Sequence, residues 1–288
     1  MRLCLVAIAA ALLLAGGSAV AQEDAVARGA YLVRAGGCID CHTEDRDGAV
    51  PLAGDRKLES PFGTFYSPNI TPDTATGIGA WSDEDFVRAF WEGIGPEGVH
   101  YYPAFPYTSY TGVTRADLLA IKAYLFSLEP VAKAAREHDL AWYISSRMAA
   151  GAWKLVFFEP ARFVADENQS ARWNRGAYLV RHLGHCGECH TPRGALGAMD
   201  EARELAGNAS TFDGEVVPNI TPHRDAGIGK WSADDIEYFL DTGMLPDGDY
   251  VGSSMSVVID NSTSQLTRED RLAIAAYLKS LPVQPTGD

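Results

Sequence analysis

The sequence predicts a mainly α-helical protein in which one small helical domain is written twice in tandem, the copies joined by an aromatic-rich connector. Three observations carry this. Short segments recur in the same order in both halves. Helix-start signals recur with them, and each half carries one Cys-x-x-Cys-His motif.

The repeat can be read residue by residue. Arg28-Gly29-Ala30-Tyr31-Leu32-Val33-Arg34 returns as Arg175-Gly176-Ala177-Tyr178-Leu179-Val180-Arg181. Pro68-Asn69-Ile70-Thr71-Pro72 returns as Pro218-Asn219-Ile220-Thr221-Pro222, and Gly77-Ile78-Gly79-Ala80-Trp81-Ser82 as Gly227-Ile228-Gly229-Lys230-Trp231-Ser232. Ala120-Ile121-Lys122-Ala123-Tyr124-Leu125 returns as Ala273-Ile274-Ala275-Ala276-Tyr277-Leu278.

Residues 1–21 read as a cleaved export leader. Arg2 is the basic start, Leu3 to Ala15 the apolar run, and Ala19-Val20-Ala21 a small-residue cleavage site before Gln22. The run is shorter than the roughly 20 residues a spanning helix needs. A periplasmic chain is therefore expected, with a first domain at 22–130, a connector at 131–172 and a second domain at 173–288.

Each domain is expected to open with the Tyr-Leu-Val helix and continue through a Gly/Pro/Asn-rich loop. Ser82 with Asp85 three residues on signals the next helix, Trp81 being placed to staple onto Phe86; Ser232, Asp235, Trp231 and Ile236 repeat the pattern. Thr114 with Asp117, and Thr267 with Asp270, signal a final amphipathic helix. Tyr31, Tyr124, Tyr178 and Tyr277 are expected to serve as core packing. The connector carries Trp142, Tyr143, Trp153, Phe157, Phe158 and Phe163, so it is no flexible Gly/Ser linker. It is expected to pack along both domains and fix their separation; the alternative is an exposed apolar strip for a partner subunit or a membrane surface.

With 47% hydrophobic residues there is material for real cores, and a formal charge of −14 leaves no basic face for nucleic acid. The acidity reads as a solubility device.

The chemistry lies in Cys38-Ile39-Asp40-Cys41-His42 and Cys186-Gly187-Glu188-Cys189-His190. Cysteines three apart lie one helical turn from each other, so both sulfurs can reach one porphyrin edge, and the next residue can offer its ring to iron. A lone cytosolic Cys-x-x-Cys-His would leave a zinc or redox pair open. Two copies behind an export leader favour two covalently bound haem c groups, with His42 and His190 as proximal ligands. Cys4 leaves with the leader, and the other four cysteines are spoken for, so no disulfide is expected.

The distal ligand decides the job, since a methionine closes the iron for electron transfer and an open face permits chemistry. In the second copy Met255, in a loop before the last helix, is the candidate. Met244 is its rival, and Met199 lies too close to the motif. Arg193 is placed to pair with a haem propionate or with solvent. In the first copy, matching Gly93, Pro96 and Gly98 to Gly243, Pro246 and Gly248 puts Phe105 opposite Met255. Phenylalanine has no donor atom. His100, Met148 or an open face remain for the first haem.

Together with Tyr102-Pro103-Ala104-Phe105-Pro106-Tyr107 and Trp173-Asn174-Arg175-Gly176-Ala177-Tyr178, these motifs resemble the exported bacterial cytochromes c that serve membrane-bound alcohol, gluconate and sugar dehydrogenases. The resemblance covers nearly all of the mature chain. It implies class I cytochrome c-like domains, no catalytic residue in the acid–base sense, and electron transfer from a partner dehydrogenase to the respiratory chain. The acceptor would be a quinone, another cytochrome or an oxidase, and any membrane association would come through a partner. The missing ligand opposite Met255 motivates the alternative of a di-haem enzyme, of peroxidase or thiosulfate-oxidising type, reacting at the first haem.

Overall fold

The computed structural model describes residues 22–209 and 216–285; the expected leader at 1–21 lies outside them. The fold is mainly helical. Helix α1 occupies residues 22–35, followed by α2 (Cys38–His42), α3 (Asp83–Glu92), α4 (Tyr107–Tyr110) and α5 (Arg115–Leu125). The connector holds α6 (Arg147–Phe157). In the second half come α7 (Ala171–Tyr178), which runs on as a π turn over Leu179–Leu183, then α8 (Gly187–His190), α9 (Ala233–Thr242), α10 (Ser253–Asn261) and α11 (Arg268–Ser280).

The caps follow the sequence. Ser82 and Ser232 each accept the N–H of the residue three on, and Asp85 and Asp235 bond back, closing a capping box at α3 and at α9. Gly93 and Gly243 end these helices in left-handed conformation, as a C-terminal glycine does. A small sheet was not anticipated. β1 (Lys57–Ser60) and β2 (Gly63–Tyr66) form an antiparallel hairpin, and the connector adds β3 (Asp139–Leu140) antiparallel to β2. Four-residue strands are too short to announce themselves by alternation.

The first and last helices of each half cross at a glycine. A Cβ on Gly29 would stand 1.9 Å from the Ala120 carbonyl oxygen, and one on Gly176 2.0 Å from that of Ala273. Hydrogen alone fits there, so α1 lies directly on α5 and α7 on α11. One cluster of buried apolar residues, from Leu32 to Leu278, runs through both halves, and a smaller one gathers Phe65, Tyr102 and Ala150.

Two aspartates fasten the halves, and they give Tyr31 and Tyr178 a polar role beside the core packing read for them. Arg28 Nε donates to Asp117 at 2.8 Å within the first half, and Tyr178 Oη of the second half donates to the same carboxylate at 2.6 Å. In the mirror arrangement Arg175 Nε donates to Asp270 at 2.8 Å, and Tyr31 Oη donates to it at 2.6 Å. Each tyrosine oxygen also accepts the N–H of the other half's helix cap, Thr267 or Thr114. Asp117 and Asp270 occupy the third helical position, where a capping box would use them; instead their carboxylates bind arginine and tyrosine, because charge-assisted bonds outweigh a return bond to the cap.

The connector wraps chiefly the first half. Asn69 Nδ2 donates to Val131 O at 2.7 Å, Tyr102 Oη to Ile144 O at 2.6 Å, and Arg162 lies over the Trp91 ring at 3.8 Å. It meets the second half where Phe163 packs edge-on against Tyr178 and where Trp153 Nε1 donates to Leu196 O at 2.8 Å.

Gly176→Ala should lower stability by about 3 kcal/mol, because backbone must move to admit a methyl group; thermal unfolding followed by circular dichroism measures it. Burial alone would raise the Asp270 carboxyl, but the Arg175 fork and Tyr31 outweigh it and hold it below its ordinary value. Its stabilising contribution is therefore present above about pH 4 and lost as pH falls through the lower folded-state value. Asp270→Asn should reduce stability at neutral pH by about 1–2 kcal/mol and flatten the acid limb of the melting-temperature profile.

Candidate haem-binding sites

Both Cys-x-x-Cys-His motifs fold as short helices, α2 and α8. Each is entered through a left-handed residue, Gly37 at φ 60° and His185 at φ 39°. A histidine with positive φ is strained. It is held there because its ring packs edge-on against Tyr110, centroids 5.3 Å apart, with Nε2 3.3 Å from Gly36 O.

The histidines of the motifs are held alike. His42 Nδ1 lies 2.8 Å from Pro68 O, and His190 Nδ1 2.8 Å from Pro218 O. A carbonyl only accepts, so Nδ1 carries the proton and Nε2 keeps its lone pair for a metal. This gives the repeated Pro-Asn-Ile-Thr-Pro its purpose. Asn69 and Asn219 shape that turn by accepting the N–H of Thr71 and Thr221, at 2.9 and 2.7 Å. Burial lowers both histidines below the ordinary value, which favours the neutral, ligating ring, while the proline carbonyls pull the other way.

A further pair of supports escaped the sequence reading. Gly54 N donates to His42 O and Gly207 N to His190 O, both at 2.8 Å. Leu52 N donates to Thr43 Oγ1 and Leu205 N to Thr191 Oγ1. The signal was available: Leu52-Ala53-Gly54 recurs as Leu205-Ala206-Gly207, and His-Thr precedes it in both halves.

All four motif cysteines are free of disulfides. Burial, then neighbouring acidic groups, pushes Cys38 up to about 12 and Cys41 to about 11; burial and Cys189 push Cys186 up to about 12. A reactive Cys-x-x-Cys needs a depressed thiol. Among the described residues no group of three or more His, Cys, Asp or Glu is placed to hold a metal ion. Two thiols plus one histidine whose Nε2 is set free is the donor set that a covalently attached haem requires, and it occurs twice.

The two motifs adjoin. Glu188, nearly buried, accepts from Thr108 Oγ1 and Ser109 Oγ of α4, each at 2.8 Å. Arg193 donates to the same carboxylate at 2.5 Å, an internal ion pair beside the motif. Asp40, at the corresponding place in the first motif, bonds Asn261 of α10. Helix α10 packs on α2, and α4 on the π turn before α8. Tyr110 Oη donates to Gly36 O at 2.9 Å.

The distal candidates lie in different surroundings. Met255 lies in the first turn of α10, a helix rather than the expected loop, and packs half-buried against the core. Met244 lines a surface hollow with Asp235, Tyr238 and Leu245. Met199 abuts the motif at Gly187. In the first half Phe105 is caged by Phe90, Tyr101 and Tyr110, with centroids 5.1, 5.9 and 5.6 Å away. His100 Nδ1 is 3.3 Å from Lys154 Nζ of α6, and Met148 is 82% exposed.

Paired thiols and a proton-anchored histidine on a helical frame are the groups that a c-type haem attachment would use. A family model for cytochrome c matches residues 26–129. The chain is 45% identical over 258 residues to a di-haem c-type cytochrome of Cereibacter sphaeroides, covering 88% of this chain and 85% of that one. It is 38% identical over 275 residues to the cytochrome c subunit of a quinone-dependent alcohol dehydrogenase of Gluconobacter oxydans, covering 93% and 57%. To the cytochrome c subunit of gluconate 2-dehydrogenase from Pantoea cypripedii it is 40% identical over 274 residues, covering 91% and 60%. The chain thus spans about three fifths of the length of the two dehydrogenase subunits. It belongs to the family of di-haem c-type cytochromes and dehydrogenase cytochrome subunits.

Glu188→Ala should lower stability by about 2 kcal/mol, since it takes the shared acceptor from Arg193 and two hydroxyls at a buried junction; a melting curve of the haem-loaded protein checks it, with Arg268→Ala, an exposed partner of the exposed Asp234, as the control expected to change it little.

Proposed function

We propose that this chain is an exported di-haem electron-transfer protein that takes electrons from a partner dehydrogenase subunit and delivers them to a respiratory acceptor, a quinone, another cytochrome or an oxidase. In this reading 22–130 and 173–288 are two tandem class I cytochrome c-like domains, and the leader is cleaved after Ala21 into the periplasm. Cys38 and Cys41 hold one haem c, Cys186 and Cys189 a second. Haem iron supplies a reversible one-electron couple.

The carrying observation is the duplicated frame around each motif: the same thiol spacing, the same proline carbonyl on each histidine Nδ1, and the same glycine N–H on each histidine carbonyl. The names of the relatives support the donor side, since three are cytochrome subunits of dehydrogenases acting on alcohol, gluconate or fructose.

The residues of the chain divide the work. His42 and His190 are the proximal ligands, oriented by Pro68 and Pro218. Met255 is the distal ligand of the second site, which closes it to exogenous ligands. The aromatic cage around Phe105 makes the first site different in character, with a lower potential expected there because no thioether sulfur is supplied by that position. No side chain acts as acid or base. Glu188 ties its motif to α4 of the first half, Asp40 ties its motif to α10 of the second, and Tyr110 touches the approach to both motifs.

Purified protein should carry two haems per chain by pyridine haemochrome assay, and Cys186→Ala with Cys189→Ala should leave one. Met255→Ala should open one site to carbon monoxide and lower its midpoint potential while the other stays unchanged; an unaltered redox titration would remove Met255 from the ligand set.

A further inference from the structure

The two halves build the loop before Phe105 and before Met255 with the same bonds. Ile94 pairs with His100 in the first half, and Met244 with Tyr250 in the second. Inside the loop Gly95 N donates to Val99 O, and Leu245 N to Asp249 O. Each loop closes on the glycine that ends the preceding helix, through Tyr101 N to Gly93 O at 2.8 Å and Val251 N to Gly243 O at 2.9 Å. Phe105 stands four residues past one closure and Met255 four past the other. A phenyl ring therefore takes the place in the first half that a thioether sulfur takes in the second.

Among the described residues of the first half and the connector, every other His, Met and Lys is engaged elsewhere or faces out. His100 Nδ1 meets Lys154 Nζ at 3.3 Å, and its ring lies so close under α6 that a Cβ on Gly151 would stand 2.9 Å from it. His138 accepts the Tyr66 N–H on Nδ1 and has Arg147 at Nε2, both at 3.2 Å. Met148 is exposed on α6. Lys57, Lys122 and Lys133 pair with Glu59, Asp83 and Glu44, and Lys154 is held on backbone carbonyls. His182 and His185 of the second half lie at Ser109 O and Gly36 O. The rings around Phe105 are equally poor in donors. Phe90 has none, Tyr110 spends its hydroxyl on Gly36 O, and the Tyr101 hydroxyl lies against Gly95 in the loop.

We infer that the His42 site takes its sixth ligand from solution, a small uncharged diatomic of the carbon monoxide or nitric oxide kind, with Phe105 and its neighbouring rings setting that selectivity. The polarity, donors and access of a haem's distal side decide what binds there. A π-acceptor diatomic bonds ferrous iron without help from a hydrogen bond. An anion such as azide would have to shed its hydration among rings where no cation or donor compensates it. With no acid or base in the cage, the site binds rather than turns over. Such binding rests on the proposed haem at Cys38, Cys41 and His42.

Carbon monoxide titration of the dithionite-reduced, haem-loaded chain tests this, with a pyridine haemochrome count on the same sample. With two haems per chain, carbon monoxide should shift the Soret band of about half of the haem, and azide should leave the oxidised spectrum unchanged. Phe105→Met with Phe90→Leu copies the Met255 and Leu240 pair of the second half. It should cut the fraction that binds carbon monoxide at least about tenfold. Two haems with no carbon monoxide shift would overturn the inference and leave the haem reading standing. A count of one haem would overturn the haem reading, and the inference with it. A shift with azide, or undiminished binding in the double variant, would overturn the inference alone.

Discussion

Asp117 and Asp270 each hold an arginine of their own half and a tyrosine of the other, and the geometry of everything between the halves depends on that exchange. A carboxylate taken out of water must be compensated by well-aligned donors. Asp117 is 2% exposed and receives both a guanidinium and a phenol. Neither half can supply the full set alone, because the tyrosine comes from across the interface. The glycine crossings set how closely each final helix lies on its first helix, and so where the aspartate at its start can meet both donors. From there the contact surface runs through Tyr110, Gly36 and His185 to the two haem peptides. The strained backbone of His185 sits where the interface demands it.

Much of this frame was legible in the chain, and the pattern of what was not follows from sequence distance. Cap signals, haem motifs and Pro-Asn-Ile-Thr-Pro are local, and a short stretch carries their whole meaning. Ser82 and Ser232 cap as expected. Tyr31 and Asp270 are 239 residues apart, and nothing in either's neighbourhood announces the other. The Tyr-Leu-Val helix looked like a core helix because it is one; its hydroxyl had no visible assignment. Asp117 and Asp270 were legible as cap residues because position and type fit, yet stronger partners, an arginine of the same half and a tyrosine of the other, took the carboxylate. The hairpin at 57–66 was missed since strands this short give too few alternations to be seen, and one of its partners comes from the connector.

Duplication turns the differences between the halves into information. The second half carries Ile236, Leu240 and Val251 where the corresponding first-half positions hold Phe86, Phe90 and Tyr101. The first half therefore builds stacked rings where the second carries aliphatic side chains. Phe86 and Phe90 pack at 4.9 Å and Phe90 meets Tyr110 at 5.1 Å, so the cage is continuous with the interface between the halves. Phe105 is part of this packing, and a methionine placed there alone would stand among rings that would have to move. The two sites thus differ by a cluster of residues rather than by one ligand.

The connector completes this logic. A chain segment with no counterpart after the second half must find its own partners, and it takes them mostly from the first. Val131 closes the Asn69 turn as Gln284 closes the Asn219 turn, so the connector begins by doing for the first half what the C-terminal residues do for the second. Beyond that point the symmetry ends. Lys154 reaches under α6 to cap α3, and Arg162 stacks on Trp91, so cations bind inward to carbonyls and rings. Lysine and arginine ordinarily face water because charge is expensive to bury; here carbonyl dipoles and aromatic faces compensate them. A helix whose charges are satisfied inside is left with only apolar residues to show outside. The same contacts that lock the connector onto the first half therefore leave Met148, Leu155 and Val156 exposed on α6, and separating the two properties would require replacing Lys154 and the face it serves together.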